Sequence, residues 1–304
     1  MIPRPDDAVA ASERLRDHMA VTALVPWPAL SARLGYEVRV KRDDALPGGA
    51  MFRGAANAVL AATPGALTQD LIAPTTGPFG RAVAEMAVRL QVSATLMMAE
   101  DAPDPGPLPG SGGPRPPRII RTQGPPAAVR AAAAARAHAD GLRLIDPVSA
   151  QAMAGFATSA LECLGQWREL DAMVAAAASG GLCAGLALGL RGARSEARLI
   201  AVAPQACPSL RDSLTAARPV ATPPGATAAH ILRGSVAEDA PAAFLILAQT
   251  MDSFTDLSED EIVSAYALAG DIPPGAASMT ALAALLHREP ELFGARVVLI
   301  ASGG

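Results

Sequence analysis

The sequence predicts an α/β protein with parallel sheets flanked by helices, and three observations carry the prediction. Short apolar runs alternate with helix-patterned segments along the chain, an order that argues for parallel sheets covered on both faces. Ser179-Gly180-Gly181 makes a tight turn from an apolar run into a helical one. With 304 residues and 51% hydrophobic content, the chain can bury a sizeable core as one large or two modest domains.

The elements follow in order. Residues 7–19 have helical spacing, with Ala8, Ala11, Leu15 and His18 on one side. Val38-Arg39-Val40-Lys41 alternates as a strand running into Asp43-Asp44, and Pro47, Gly48 and Gly49 make a loop. Residues 53–62 have helix-forming composition. A strand over 70–73, a turn at Thr75-Thr76-Gly77-Pro78, a helix over 80–90 and a buried strand over 93–98 come next. The segment DAPDPGPLPGSGGPRPPR, residues 101–118, has too many prolines and glycines for a helix and reads as a mobile surface loop. Beyond it the pattern predicts strands over 117–121, 142–145, 171–177 and 197–203, with helices over 126–140, 149–164 and 182–190 between them. A helix over 258–268 has Ser258 as its N-cap and Glu261 three residues later. A helix over 275–287 and a strand over 296–300 follow.

Composition excludes several function classes. Lys and Arg number 25 against 29 Asp and Glu, and the charges are scattered. No basic patch for nucleic acid or an anionic membrane is expected. Cys163, Cys183 and Cys207 lack metal-like spacing and read as small buried residues in a reducing compartment. His18, His138, His230 and His287 show no ligand spacing, so no metal site is expected. Glu259, Asp260 and Glu261 suit the positive end of a helix better than acid/base chemistry. No apolar run reaches 18 residues, and the N-terminal region carries Asp6, Asp7 and Glu13, which together predict a cytoplasmic protein. The chain contains one lysine, Lys41. A coding bias towards arginine can empty a chain of lysine, but a lysine needed for covalent chemistry cannot drift that way, because a guanidinium stays protonated.

Collinear segments resemble the threonine/serine dehydratase branch of the fold-type II pyridoxal-phosphate (PLP) enzymes, relatives of the tryptophan synthase β-chain. GGAMFRGAANAV is similar to the family's lysine-bearing loop and helix, and APTTGPFGRAVAEMAVRL to its substrate loop. LDAMVAAAASGGLCAGLAL is similar to its phosphate-binding turn. LSEDEIVSAYAL, PPGAASMTALAALL and ARVVLIASGG are similar to its closing elements. The resemblance implies a large domain of residues 1–45 and 148–304, a small domain of 46–147, a pocket between them and a homodimer.

The same resemblance places the Schiff-base lysine two residues before Arg53-Gly54-Ala55, where this chain has Met51. A thioether neither forms an imine nor carries a proton. No shift of register can supply a lysine, since Lys41 lies in the preceding strand, where the family has an ordinary strand-end lysine. The substrate-loop asparagine corresponds to Pro78, and an acidic residue of the closing elements to Ile272. Ser179, Gly180, Gly181 and Leu182 keep a strand-to-helix turn whose bare amides can cradle a phosphate, although Ala178 and Ser179 replace two of the family's four glycines. Ser302 matches the residue that contacts the pyridine nitrogen. These matches imply a lyase-like pseudoenzyme with a binding or regulatory role, using no cofactor or PLP held non-covalently. Two alternatives stand beside it. One is an ammonia-lyase-type enzyme with lysine-independent chemistry on an amino acid or phosphorylated small molecule. The other is an inactive subunit paired with an active paralogue.

Overall fold

The computed structural model describes residues 2–62, 64–236, 241–269, 275–288, 292 and 294–303. The strands are β1 (Leu24–Pro26), β2 (Glu37–Lys41), β3 (Leu71–Pro74), β4 (Ala94–Ala99), β5 (Arg118–Thr122), β6 (Arg143–Leu144), β7 (Ala172–Ala176), β8 (Arg198–Pro204), β9 (Ser253–Leu257) and β10 (Arg296–Ile300). The α-helices are α1 (Pro5–Leu15), α2 (Pro28–Leu34), α3 (Met51–Leu60), α4 (Pro78–Leu90), α5 (Pro126–Asp140), α6 (Ala150–Gln166), α7 (Gly181–Gly192), α8 (Ser209–Ala216), α9 (Ala242–Thr250), α10 (Glu259–Tyr266) and α11 (Ala276–His287).

Two sheets form. One has the order β1-β2-β10-β7-β8-β9 and is parallel except for β1, which runs antiparallel to β2. The other, β5-β4-β3-β6, is parallel throughout. The larger sheet is covered on both faces, as the apolar runs predict. Alternate residues of its central strands enter different cores, since successive side chains of a strand point to opposite faces. Met173, Val298 and Ile300 pack in the core that includes α6 and α7 residues, while Val174, Val297 and Leu299 pack with α11. In the smaller sheet, Ile72 and Met97 pack against Val129, Ala133 and Ala137 of α5.

The expected elements are present, with ends shifted by a few residues. Ser258 caps α10 through a capping box with Glu261, as the sequence predicts. The 101–118 segment contains no helix, but it is not a free loop. Arg81 donates to the carbonyls of Pro105 and Pro107 at 2.8 and 2.9 Å, and Arg121 donates to those of Ala99 and Pro103 at 3.1 and 3.4 Å. Leu108 is buried within the segment.

Lys41 ends β2, as expected, and its surroundings make it far from ordinary. It is fully buried, and its Nζ donates to Glu162 Oε2 at 2.6 Å, the Thr22 carbonyl at 2.8 Å and Gln166 Oε1 at 3.2 Å. Arg53, in the first turn of α3, shares the cluster. It donates to Asp43 Oδ1 at 2.7 and 3.1 Å, to Glu162 at 2.7 and 2.8 Å, and to the hydroxyls of Thr22 and Thr158. Ser159 donates to the other Asp43 oxygen at 2.6 Å. Two cations thus meet two carboxylates, with hydroxyls taking up remaining lone pairs. Buried charge is sustainable only under such pairing. Burial raises the Asp43 carboxyl, but the adjacent Arg53 charge and the hydrogen bonds from Arg53, Ser159 and Thr22 outweigh it and leave the group below its usual range.

The cluster ties β2, α3 and α6 together. Removing one partner strands buried charge, so Arg53→Ala should lower the unfolding free energy in urea by about 3–5 kcal/mol. Lys41→Met should cost less, because Glu162 keeps its bonds from Arg53. The depressed Asp43 value makes the unfolded chain the better proton acceptor. Its stabilisation is therefore complete above the unfolded value of about 3.9 and is lost as pH falls through the lower folded value. Acid unfolding curves of Asp43→Asn should lack this part of the pH slope.

Candidate functional site

A cavity of about 570 Å³ opens where strands of both sheets end. Pro74, Ala99 and Ala176, the last residues of β3, β4 and β7, all reach its wall. Parallel sheets place ligands at such carboxyl ends because the following helices start there. Three helices do start there: Met51, Pro78 and Gly181 are the first residues of α3, α4 and α7, and all three line the cavity. Converging helix N-termini bring positive potential and unpaired amides to one space.

The structure brings together most residues singled out in the sequence. Met51, Pro78, Ser179, Gly180, Gly181, Leu182 and Ser302 all line this cavity. Ile272 lies outside the described residues. Met51 stands on the wall without filling the space, and Lys41 does not reach it.

The start of α7 is shaped by glycine. Gly180 is its N-cap with φ +89°, a left-handed conformation that disfavours other residues. A Cβ on Gly181 would lie 2.4 Å from the Pro147 carbonyl oxygen. The turn therefore packs tightly against Pro147. On another wall Ser302 is buried, and its Oγ has no hydrogen-bond partner. Its carbonyl accepts from the Ala50 amide at 2.9 Å. A Cβ on Gly49 would sit 1.8 Å from that same oxygen, so Gly49 is required by the approach of the loop before α3 to the segment after β10.

The turn before α4 is more closed. Thr75 Oγ1 accepts from the amides of Gly77 at 2.9 Å and Gly80 at 2.8 Å, and the Thr75 amide donates to the Met97 carbonyl. Pro78 has no N–H to offer. Two of the turn's amides are thus spent inside it.

Sequence reading missed the cavity's charged groups. Arg130 pairs with Asp146 at 2.6 Å, and Arg233 with Asp101 at 2.8 Å. Arg233 and Ser235 lie between α8 and α9, where the pattern suggested no element, and Gly234 between them is the one local signal of a close backbone approach. Cys183 also lines the cavity. Burial pushes its thiol up to about 12, and its Sγ faces the carbonyls of Ala175 and Ala176. Burial likewise places Cys163 at about 12 and Cys207 at about 11. Among the described residues no group of three or more His, Cys, Asp or Glu could hold a metal ion, and no helix is long and apolar enough to cross a membrane.

Comparison with known proteins places this arrangement. Residues 15–303 match the profile of a family described as pyridoxal-phosphate dependent enzyme. The chain is 28% identical to L-threo-3-hydroxyaspartate ammonia-lyase of Saccharomyces cerevisiae, over all of this chain and 94% of that protein. It is 27% identical to L-threonine ammonia-lyase of Geobacter sulfurreducens, over 97% and 73%. Among solved structures, a threonine deaminase from T.th. superposes with a TM-score of 0.84 at 26% identity, covering 99% of this chain and 98% of that one. Maize serine racemase gives a TM-score of 0.87 at 21% identity, covering 100% and 94%, a likeness of fold.

The thiolate is the reactive form of cysteine, and all three thiols are held protonated well above neutrality. Thiol titration of the native protein near pH 8 should detect none of the three cysteines, and titration in denaturant should detect all of them.

Proposed function

This chain belongs to the pyridoxal-phosphate dependent enzyme family, and we propose that it keeps the family's cavity without its covalent chemistry. In this reading it is a binding or regulatory relative of the dehydratases and ammonia-lyases. It holds a phosphorylated small molecule, PLP included, with no bond to the chain. The observation that carries the reading is the state of Lys41: the only lysine is fully buried and ion-paired to Glu162, away from the cavity.

The residues fit two ends of PLP and not its middle. The start of α7 offers amides to a phosphate, and the unpartnered Ser302 hydroxyl suits a ring nitrogen. When bound, PLP supplies an aldehyde and an electron-accepting ring, and here the aldehyde would meet the Met51 thioether, which has no amine to offer. What the chain's own residues supply is binding and orientation: a cup at one end, a hydroxyl at the other and apolar walls of Met51, Phe79 and Leu182 between. Asp146 and Asp101 hold arginines and Cys183 stays a thiol, while Glu100 and His230 also reach the cavity wall.

The large domain of 1–45 and 148–304, the small domain of 46–147 and a dimer, with itself or with a lysine-bearing paralogue, belong to the same proposal. The two sheets support the division, because every strand of the smaller one falls within 46–147.

Borohydride reduction in the presence of PLP tests the reading by mass spectrometry. Wild type should gain no cofactor mass and should not turn over threonine or serine, while PLP should still raise its melting temperature. Met51→Lys should gain one cofactor mass at position 51. A trapped adduct at Lys41 would overturn the proposal, and so would the absence of any PLP-induced stabilisation.

A further inference from the structure

The segment between α8 and α9 brings Arg233 and Ser235 to the cavity, and among the described residues the Arg233 Nε is buried without a partner. Gly234 lies directly on the turn that precedes α7: a Cβ there would come within 3.0 Å of the Ser179 amide nitrogen and 3.1 Å of the Ala178 Cβ. Arg233 and Ser235 flank this contact, and both line the cavity. Ser235 is 8% exposed, and its hydroxyl forms no hydrogen bond among the described residues. The Arg233 Nε is buried without an acceptor. One of its terminal nitrogens reaches Asp101 Oδ2 at 2.8 Å, and that carboxylate is 63% exposed against 28% for Arg233. Asp101 follows β4 of the smaller sheet, whereas Arg233 follows β8 of the larger. The ion pair therefore crosses from one sheet's loops to the other's. Thr76 does the same beside it, donating to the Ile231 carbonyl at 2.9 Å.

We infer that Arg233 and Ser235 complete an anion cup around the start of α7, that the cup takes a phosphate monoester, and that Asp101 is the resident counter-ion a bound phosphate displaces from Arg233. The inference rests on the non-covalent binding reading above and names the residues that make such binding selective. Without a covalent tether, affinity has to come from contacts. A guanidinium can meet a phosphate with parallel hydrogen bonds, and a doubly charged group with three terminal oxygens can satisfy the guanidinium, the Ser179 and Ser235 hydroxyls and the α7 amides together. A mostly exposed carboxylate is a weak competitor for the same guanidinium.

Calorimetric titration of wild type, Arg233→Gln and Asp101→Asn with PLP and with unphosphorylated pyridoxal tests the inference. Arg233→Gln should weaken PLP binding by at least about tenfold, the effect of losing a charge-assisted hydrogen bond, and leave pyridoxal binding unchanged. Asp101→Asn, at an exposed site where folding is not at risk, should tighten PLP binding by about two- to fivefold, as expected for removal of a weak competing pair. Equal PLP affinity in wild type and Asp101→Asn would overturn the inference, as would equal affinity in a folded Arg233→Gln, and either result would leave the proposed function standing. Wild type that binds neither probe would overturn both.

Discussion

The buried ionic cluster around Arg53 is the constraint on which the rest of this molecule depends. Each of its charges would be prohibitively costly in the core alone, so Lys41, Asp43, Arg53 and Glu162 are held in one geometry or not at all. That geometry fixes the end of β2, the first turn of α3 and one face of α6. Met51 lies two residues before Arg53, so its place on the cavity wall follows from the cluster. The influence extends through α6, because Gly185 and Gly189 of α7 come so close to α6 that a Cβ on either would strike its backbone within 2.6 Å. The turn that begins α7 is thereby set relative to α3.

The same cluster explains how a lysine can be buried in the core. Three acceptors surround the Lys41 ammonium, and its charge balances Glu162. Its role is in the fold. The cavity shows the opposite pattern: the Ser302 hydroxyl and the Arg233 Nε are buried with no hydrogen-bond partner among the described residues. Buried polar groups normally find partners within the chain, and two left open around one space indicate a partner from outside. The Thr75 turn lies between these extremes, with its amides turned inward onto its own hydroxyl.

Much of the fold could be read along the chain because the signals were local. Strand–helix alternation, the Ser258–Glu261 capping box and the glycines before α7 each act within a few residues. The elements that escaped are β1, α2, α8, α9 and β9; α2 had local signals in Pro28 at its start and Gly35 at its end, and β1, α9 and β9 had weak ones. β1 is three residues ending in proline, and β9, Ser253–Leu257, pairs among the described residues with β8 alone. The described part of α9, Ala-Ala-Phe-Leu-Ile-Leu-Ala-Gln-Thr, is apolar nearly all round and shows no amphipathic period. The 101–118 segment was legible as non-helical. Its tethering was not, since Arg81 lies some twenty residues away and a guanidinium's target cannot be read from composition.

By itself the sequence determined the α/β class, the presence of a strand-to-helix glycine turn and the absence of any lysine but Lys41. These are properties of local pattern and of counting, and neither needs a third dimension. Tertiary structure alone decided that Lys41 is buried against Glu162, that Met51 leaves the cavity open, and that Arg233 and Ser235 stand beside the Ser179 turn. Those facts depend on contacts between segments tens to more than a hundred residues apart, whose geometry is set by packing and by the pairing of buried charge.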